Sequence, residues 1–394
     1  MKKQVASFLF ALIMIIGVCI PAGAAESKKA LKFDENGEFK IMHLTDCQDV
    51  YPANETMLKF IDASLKEYQP DLVVLGGDNV VADSENLEAG IAELVKIFVD
   101  NKTYFTLVFG NHDCEHGMTN DELLVLYQQY GGEYCLADDL YPELHGCGTQ
   151  MLPVLSSKND DTALALYMFD SGSKAYDEDG NKVGYDCVHE DQIEWYKETS
   201  LALEKQEGRK VPAFAFQHIV VGEVYDALFF ESAVDMGELT RKFNGKIYSF
   251  FPKTNNFSGF LLEYPCPGYY NFGQFEAMVE RGDVVAMFSG HDHVNTYETE
   301  LDGIKLISTG GATYHSYGND KTRGFRLITV NENDVRGFES ETVTVNDFAL
   351  ANDDFANAAG ISSISAIGSE ILAAVMLALG KFSGIFAGII DSVF

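Results

Sequence analysis

The sequence predicts an α/β fold built on a parallel sheet, and two observations predict it. Between residues 39 and 113, short apolar runs that fit buried strands alternate with longer runs whose apolar residues fall at helical spacing. The strand-like runs also stop in side chains that can bind a ligand. In open α/β sheets, ligands gather at the carboxyl ends of the strands.

The elements follow in chain order. "FKIMHLTD" is a strand ending in Asp46. "NETMLKFIDASLKEYQ" offers Asn54 as an N-cap and sets Met57, Leu58, Ile61 and Leu65 on one helical face. "PDLVVLGGD" is a second buried strand, "ENLEAGIAELVKIFVD" a second helix and "TYFTLVFGNHD" a third strand. This β-α-β-α-β order implies right-handed crossovers. "ALALYMFD", "VPAFAFQH", "DVVAMFSG", "GIKLISTG" and "GFRLITV" are further strands, and "EDQIEWYKETSLALEKQ" is a helix between the first two. The stretch 222–271 has no clean periodicity and is rich in Phe and Tyr. It reads as a lid or insertion over the site.

The ends of the chain differ in character from this 31–350 domain. Lys2 and Lys3 precede the apolar run "FLFALIMIIGVCI" and the small residues of "AGAAES", which reads as an export signal over residues 1–25. The expected location is secreted or at the cell surface. Residues 355–394 place Ile and other apolar side chains at three- and four-residue steps, with a small-residue ridge at Gly380, Gly384 and Gly388. That pattern reads as an amphipathic helical tail for membrane or self-association. Signal cleavage leaves six cysteines, an even number that permits disulfides in an exported chain. Cys135 and Cys147 bracket a short loop and are the first expected pair; buried thiols are the alternative.

The net charge is −32, from 60 acidic and 28 basic side chains. Such a surface repels a phosphate backbone, so nucleic acid is not an expected partner. A small anionic substrate would need local positive charge, which bound metal ions can supply.

Five strand ends carry residues of metal-binding type: Asp46 and Gln48 in "LTDCQ", Asp78 in "GGDN", Asn111 and His112 in "GNHD", His218 in "FQH", and His291 and His293 in "SGHDHV". Carboxylates, amide oxygens and imidazoles together suit first-row divalent ions such as zinc, manganese or iron. A single aspartate can bridge two ions, because both its oxygens carry lone pairs. Each motif alone has a plain explanation, a turn or a hydrogen-bonded histidine; five in series at strand ends do not.

The ordered set D-x-Q, G-D-N, G-N-H-D, H and G-H-D-H resembles the calcineurin-like metallophosphoesterase superfamily. The stretch "NFGQFEAMVERGDVVAMFSGHDHVN" followed by "GGATYHSYG" is similar to its purple-acid-phosphatase-like branch. The likeness runs from Lys40 to Val330. It implies two facing mixed β-sheets flanked by helices, with two divalent ions at the strand ends. Asp46, Gln48, Asp78 and His293 would hold the first ion, and Asp78, Asn111, His218 and His291 the second. His112 would face the leaving group and Asp113 would orient it. The implied reaction is hydrolysis of a phosphate mono- or diester by a water-derived hydroxide.

Two residues depart from the pattern. Gln48 stands where histidine is common, so the first site is expected to bind more weakly or to favour a harder ion such as manganese. Val81 stands where a purple enzyme has its tyrosine, so no purple colour is expected. Tyr314, His315 and Arg323 are candidates to touch a small phosphorylated substrate. His43 is expected to pack in the core, and His116, His145 and His189 to be solvated. The alternatives are a nucleotidase-type hydrolase and a non-catalytic scaffold that kept the fold.

Overall fold

The computed structural model describes residues 30–346, apart from 84, 238 and 239. The export signal and the 355–394 tail therefore lie outside the described residues. Among the described residues, no helix is long and apolar enough to cross a membrane.

Strands and helices are numbered in chain order. One sheet has the order β18 (Asp334–Thr344), β17 (Gly324–Asn331), β2 (Glu38–Leu44), β3 (Leu72–Gly76) and β4 (Tyr104–Val108). Its β2, β3 and β4 are parallel, β17 pairs antiparallel with β2, and β18 pairs antiparallel with β17. The second sheet has the order β1 (Leu31–Lys32), β5 (Gln150–Leu155), β6 (Thr162–Met168), β9 (Ala213–Phe216), β14 (Val284–Ser289), β16 (Ile304–Ser308), β15 (Glu298–Leu301) and β13 (Phe257–Ser258). Its centre, β6-β9-β14-β16, is parallel.

Alternation along the strands builds the layers. Ile41, Val74 and Val108 of the first sheet face Leu164, Leu166, Met168, Phe214, Phe216 and Phe288 of the second, and these form the central core. Met42, Leu44, Val73, Leu75 and Leu107 point the other way, onto helices α1 (Glu55–Tyr68), α2 (Leu87–Asp100) and α3 (Asn120–Gly131). Residues such as Tyr167, Ala215 and Met287 face α4 (Glu190–Glu207), α5 (Val224–Leu228) and α6 (Gln274–Arg281). The result is two mixed sheets face to face with helices outside both, as the resemblance implied. Asn54 caps α1 as its position predicts: its Oδ1 accepts the Thr56 and Met57 amides at 2.9 and 3.2 Å.

Within 222–271 the chain forms α5 and a three-stranded sheet of β10 (Phe229–Glu231), β12 (Lys246–Pro252) and β11 (Thr240–Phe243). A two-stranded hairpin pairs β7 (Lys174–Tyr176) with β8 (Lys182–Tyr185).

The expected Cys135–Cys147 bridge is not formed, and no disulfide joins the six described cysteines. Cys135 and Cys147 are each buried in the helix-covered core, which is the alternative reading. His43 does pack: it is buried between the sheets against Phe216 and Phe288, with Nδ1 2.8 Å from Thr309 Oγ1. His145 and His189 are not simply solvated. Their rings stack at 3.5 Å and both bond the Asp186 carboxylate, at 3.2 and 2.9 Å.

Candidate metal centre

The parallel strands of both sheets deliver their last residues to one place. Asp46 and Gln48 follow β2, Asp78 follows β3, Asn111 and His112 follow β4, His218 follows β9, and His291 and His293 follow β14. Beyond the strand ends the pairing continues for a step, with the Asp46 amide donating to Gly77 O (3.0 Å) and the Gln48 amide to Asp78 O (2.8 Å).

The backbone bends hard to aim these groups. Asp46, Gln48, Asp78 and His291 have φ of 49°, 38°, 51° and 72°, in the left-handed region that side chains normally avoid. Glycine makes room for them. A Cβ on Gly110 would stand 2.2 Å from Asp78 Oδ1, and one on Gly290 would stand 2.7 Å from Asp46 Oδ2.

Asp46 and Asp78 are fully buried in the same pocket. Asp46 Oδ1 lies 3.3 Å from His293 Nε2 and 3.9 Å from His218 Nε2, and Asp78 Oδ2 lies 3.1 Å from His218 Nε2. The other ring nitrogens fix the tautomers. His218 Nδ1 donates to Gly76 O (2.8 Å) and His293 Nδ1 to Tyr317 O (2.9 Å), so each ring is held with Nε2 turned to the carboxylates.

Four buried atoms of these residues have no aligned hydrogen-bond partner: Asp46 Oδ1, Asn111 Oδ1, His218 Nε2 and His291 Nε2. Ligand atoms of Asp78, His218 and His291 all lie within 4.8 Å of one another. Polar atoms are seldom buried without partners. An oxygen- and imidazole-rich set of this kind fits first-row divalent ions.

The electrostatics point the same way. Burial opposes charge on Asp46, yet His218 and His293 hold its carboxyl below the usual range. Asp78 is likewise held low against burial, chiefly by His218. Burial alone would neutralise His218, but Asp78 and Asp46 raise it to about 10. The paired carboxylates thus demand positive charge from whatever lies between them. Burial, and next the His218 charge, drive His291 down to about 3.

Gln48 turns its amide nitrogen, not its oxygen, to Asp78 Oδ2 (3.0 Å). Asp113 does not orient His112. Its carboxylate is buried and accepts the backbone amides of Asp78 (2.8 Å), Asn79 (2.9 Å) and Gly110 (2.7 Å), tying two motifs together. Burial, and next the Asp78 charge, push its carboxyl up to about 7. The group on His112 Nδ1 is Glu115 Oε2, at 2.5 Å, and the other oxygen of Glu115 is paired with Lys174. The short turn Asp113–His116 sets this geometry, because it folds residue 115 back under residue 112.

Above the buried ligands lies an open cleft of about 400 Å³. His112, Glu115, His116, Tyr185, His315 and Tyr317 wall it. His315 and His116 thus line the cleft. Arg323 does not take the substrate role that was expected. Its Nε donates to Thr313 O (2.7 Å), it pairs with Asp320, and its guanidinium lies over the Tyr314 ring at 4.3 Å. Both residues clamp the loop after β16, and Tyr314 packs on the helix-side core. Sequence reasoning missed Tyr185, whose ring meets His291 edge-on at 4.4 Å, and Tyr317, stacked on His293 at 4.2 Å. It also missed Glu263, which accepts the Tyr317 hydroxyl at 3.0 Å.

This fold and site define a metallophosphoesterase. Residues 39–295 match the calcineurin-like phosphoesterase family, and the chain belongs to it. Among curated relatives it is similar to "Probable inactive purple acid phosphatase 14" of Arabidopsis thaliana, 27% identical over 341 residues that cover 78% of each chain. It is also similar to "Probable inactive purple acid phosphatase 29" of the same plant, 25% identical over 85% of this chain and 88% of that one. A solved dimetal phosphatase from Danio rerio aligns over 78% of this chain and 98% of its own, at 12% identity and a TM-score of 0.45.

Proposed function

We propose that this protein is a metal-dependent phosphoric ester hydrolase acting on mono- or diesters. One observation carries the reading: ligand atoms of Asp78, His218 and His291 lie within 4.8 Å of one another, Asp46 and His293 pair into the same buried cluster, and Asp78, His291 and His293 border a cleft that His112 walls. Asp46, Gln48, Asp78 and His293 would hold one divalent ion, and Asp78, Asn111, His218 and His291 a second, with manganese, iron and zinc as the candidates. When bound, such a pair polarises a phosphoryl oxygen and lowers the pKa of a water.

The chain's own groups do the rest. His112, held through Nδ1 by Glu115, presents Nε2 to the cleft, where it can give a proton to a leaving oxygen. Asp113 fixes the backbone that carries Asp78 and Asn111. His315 and Tyr317 wall the side of the cleft next to His293.

A second reading is a non-catalytic scaffold, favoured by the word "inactive" in the names of the two plant relatives. Against it, all seven ligand positions keep residues that can coordinate. The test is elemental analysis of metal-reconstituted protein together with hydrolysis of aryl phosphate mono- and diesters. Two equivalents of metal and turnover that stops on chelation support the hydrolase. Metal without turnover, or a site that stays empty, supports the scaffold and defeats the hydrolase. Export through residues 1–25, and membrane or self-association through 355–394, belong to the same proposal. They rest on the sequence pattern, and deleting 355–394 should leave an active enzyme.

A further inference from the structure

We propose that a groove beside the metal cleft is a leaving-group subsite, selective for a flat ring that carries a second negative charge. The proposal rests on the hydrolase reading and names the substrate class for the same site.

The groove holds about 590 Å³ and lies between β11, the end of the β7–β8 hairpin and the loop 265–269. Tyr185 lines both spaces: its ring meets His291 at the cleft floor and also forms a wall of the groove. The groove therefore adjoins the cleft across one shared side chain, next to where an ester at the candidate metal ligands would release its departing part.

The lining is chemically unlike the rest of the molecule. It contains Arg241, Lys242 and four aromatic rings, Tyr185, Tyr225, Phe243 and Tyr269, and, among the described residues, not one Asp or Glu. This occurs in a chain with 60 acidic and 28 basic side chains. The cleft shows the reverse: its lining includes Asp78 and Glu115 and no Lys or Arg. Positive charge for an anionic substrate is thus supplied beside the reacting centre rather than over it.

Arg241 is the available cation. Lys242 is engaged by Asp235 at 2.6 Å, whereas Arg241 has no carboxylate partner among the described residues and rests over the Tyr264 ring at 4.5 Å. Stacking on a ring leaves the edge of the guanidinium free to grip an anion through paired hydrogen bonds. Tyr269 is exposed beside it and offers a ring face.

The wall behind is firmly built. Phe243 lies so close to Gly222 that a Cβ there would stand 1.8 Å from its ring, and it stacks on Tyr225 at 5.8 Å. Tyr225 is itself tied to Pro265 O at 2.9 Å. The groove is thus formed before any substrate enters, which lowers the cost of ordering it.

The test compares phenyl phosphate, 4-carboxyphenyl phosphate and 1,4-phenylene bisphosphate as substrates of metal-reconstituted full-length protein. Wild type should show kcat/KM about tenfold higher for the two charged esters. Arg241→Ala should erase that advantage and leave phenyl phosphate unchanged, and Tyr269→Ala should raise KM for all three with kcat retained. A carboxylate preferred over a second phosphate, or the reverse, identifies the anion the groove takes. Equal turnover of all three esters by wild type overturns the proposal while the hydrolase reading stands, as does a uniform loss in Arg241→Ala. If no ester is hydrolysed the hydrolase reading fails, and calorimetric binding of 4-carboxyphenylphosphonate judges the groove alone. Binding weakened by Arg241→Ala supports it, and unchanged binding overturns it.

Discussion

Replacing Gly110 with alanine should empty the metal centre without touching a ligand. Gly110 has no positive φ, so alanine meets no backbone penalty there. The obstacle is purely steric. The new Cβ would stand 2.2 Å from Asp78 Oδ1, 2.5 Å from Asp78 N and 2.8 Å from its Cγ, where real contacts stay beyond 3.0 Å. Something must therefore move by 3.0 − 2.2 = 0.8 Å at least. The neighbours cannot give way cheaply. Asp78 Oδ1 accepts the His112 amide at 2.8 Å, and its own amide is held by Asp113 at 2.8 Å. Overpacking of this kind costs about 1–3 kcal/mol of stability. A shift near 1 Å in a positioned group can cost about a hundredfold in function. Because Asp78 would serve both ions, both should be lost together. The assay is metal content by elemental analysis after gel filtration, read beside thermal unfolding. Gly208→Ala is the control: Gly208 has φ +65° with nothing within 4 Å, so alanine there strains a helix end far from the site. It should lower the melting temperature and keep the metal. If Gly110→Ala binds two equivalents as tightly as wild type, the claim that close approach at Asp78 builds the centre is wrong.

Three further outcomes are expected. Glu115→Gln should lower kcat by about ten- to hundredfold with metal content unchanged, because an outer partner that orients a working imidazole typically matters by that factor; metal lost in step with activity would make Glu115 structural instead. Gln48→His should tighten the weaker ion in a calorimetric titration, since an imidazole replaces an amide that turns its nitrogen to Asp78. The third concerns pH. The hydrogen bond to Asp186 raises His145, so this pair's contribution to stability is complete below the ordinary histidine value and fades as pH rises through the raised one. Asp186 is held low against burial by His145 and His189, so its contribution is lost at the acid end, as pH falls below the ordinary aspartate range. Asp186→Asn should flatten the decline above about pH 6.5 seen in denaturant midpoints; an unchanged slope would show that other groups produce it.

Much of the frame could be read directly because its signals are local. The β2 to β4 strands are mostly apolar runs, and the cap at Asn54 is set within the four residues 54–57. The metal ligands stood out because each ends such a run. Other features were equally local and were passed over. Helix α3 is announced by Thr119 and Glu122, which form a reciprocal capping box. Strand β18, "DVRGFESETVT", escaped because its outer face is polar and its burial is set by β17 beside it.

The roles around the ligands were legible only in part, for a physical reason. Whether Asp113 or Glu115 meets the His112 ring depends on how a four-residue turn winds, and the spacing His-x-x-Glu acquires meaning only once that turn is known. Arg323 looked free to meet an anion because its partners, Thr313 and Asp320, belong to a loop with no regular pattern. Tyr185 and Arg241 come from separate hairpins, and nothing in either segment tells that both border one space.

The bends beneath Asp46, Gln48, Asp78 and His291 have a historical consequence. Each would relax if glycine took its place, by about 1 kcal/mol. A lineage freed from holding ions would gain robustness by letting glycine drift into any of the four. Side chains rather than glycines hold all four positions here, so the strain stands in full, and it is carried in the main chain as much as in the donors above it.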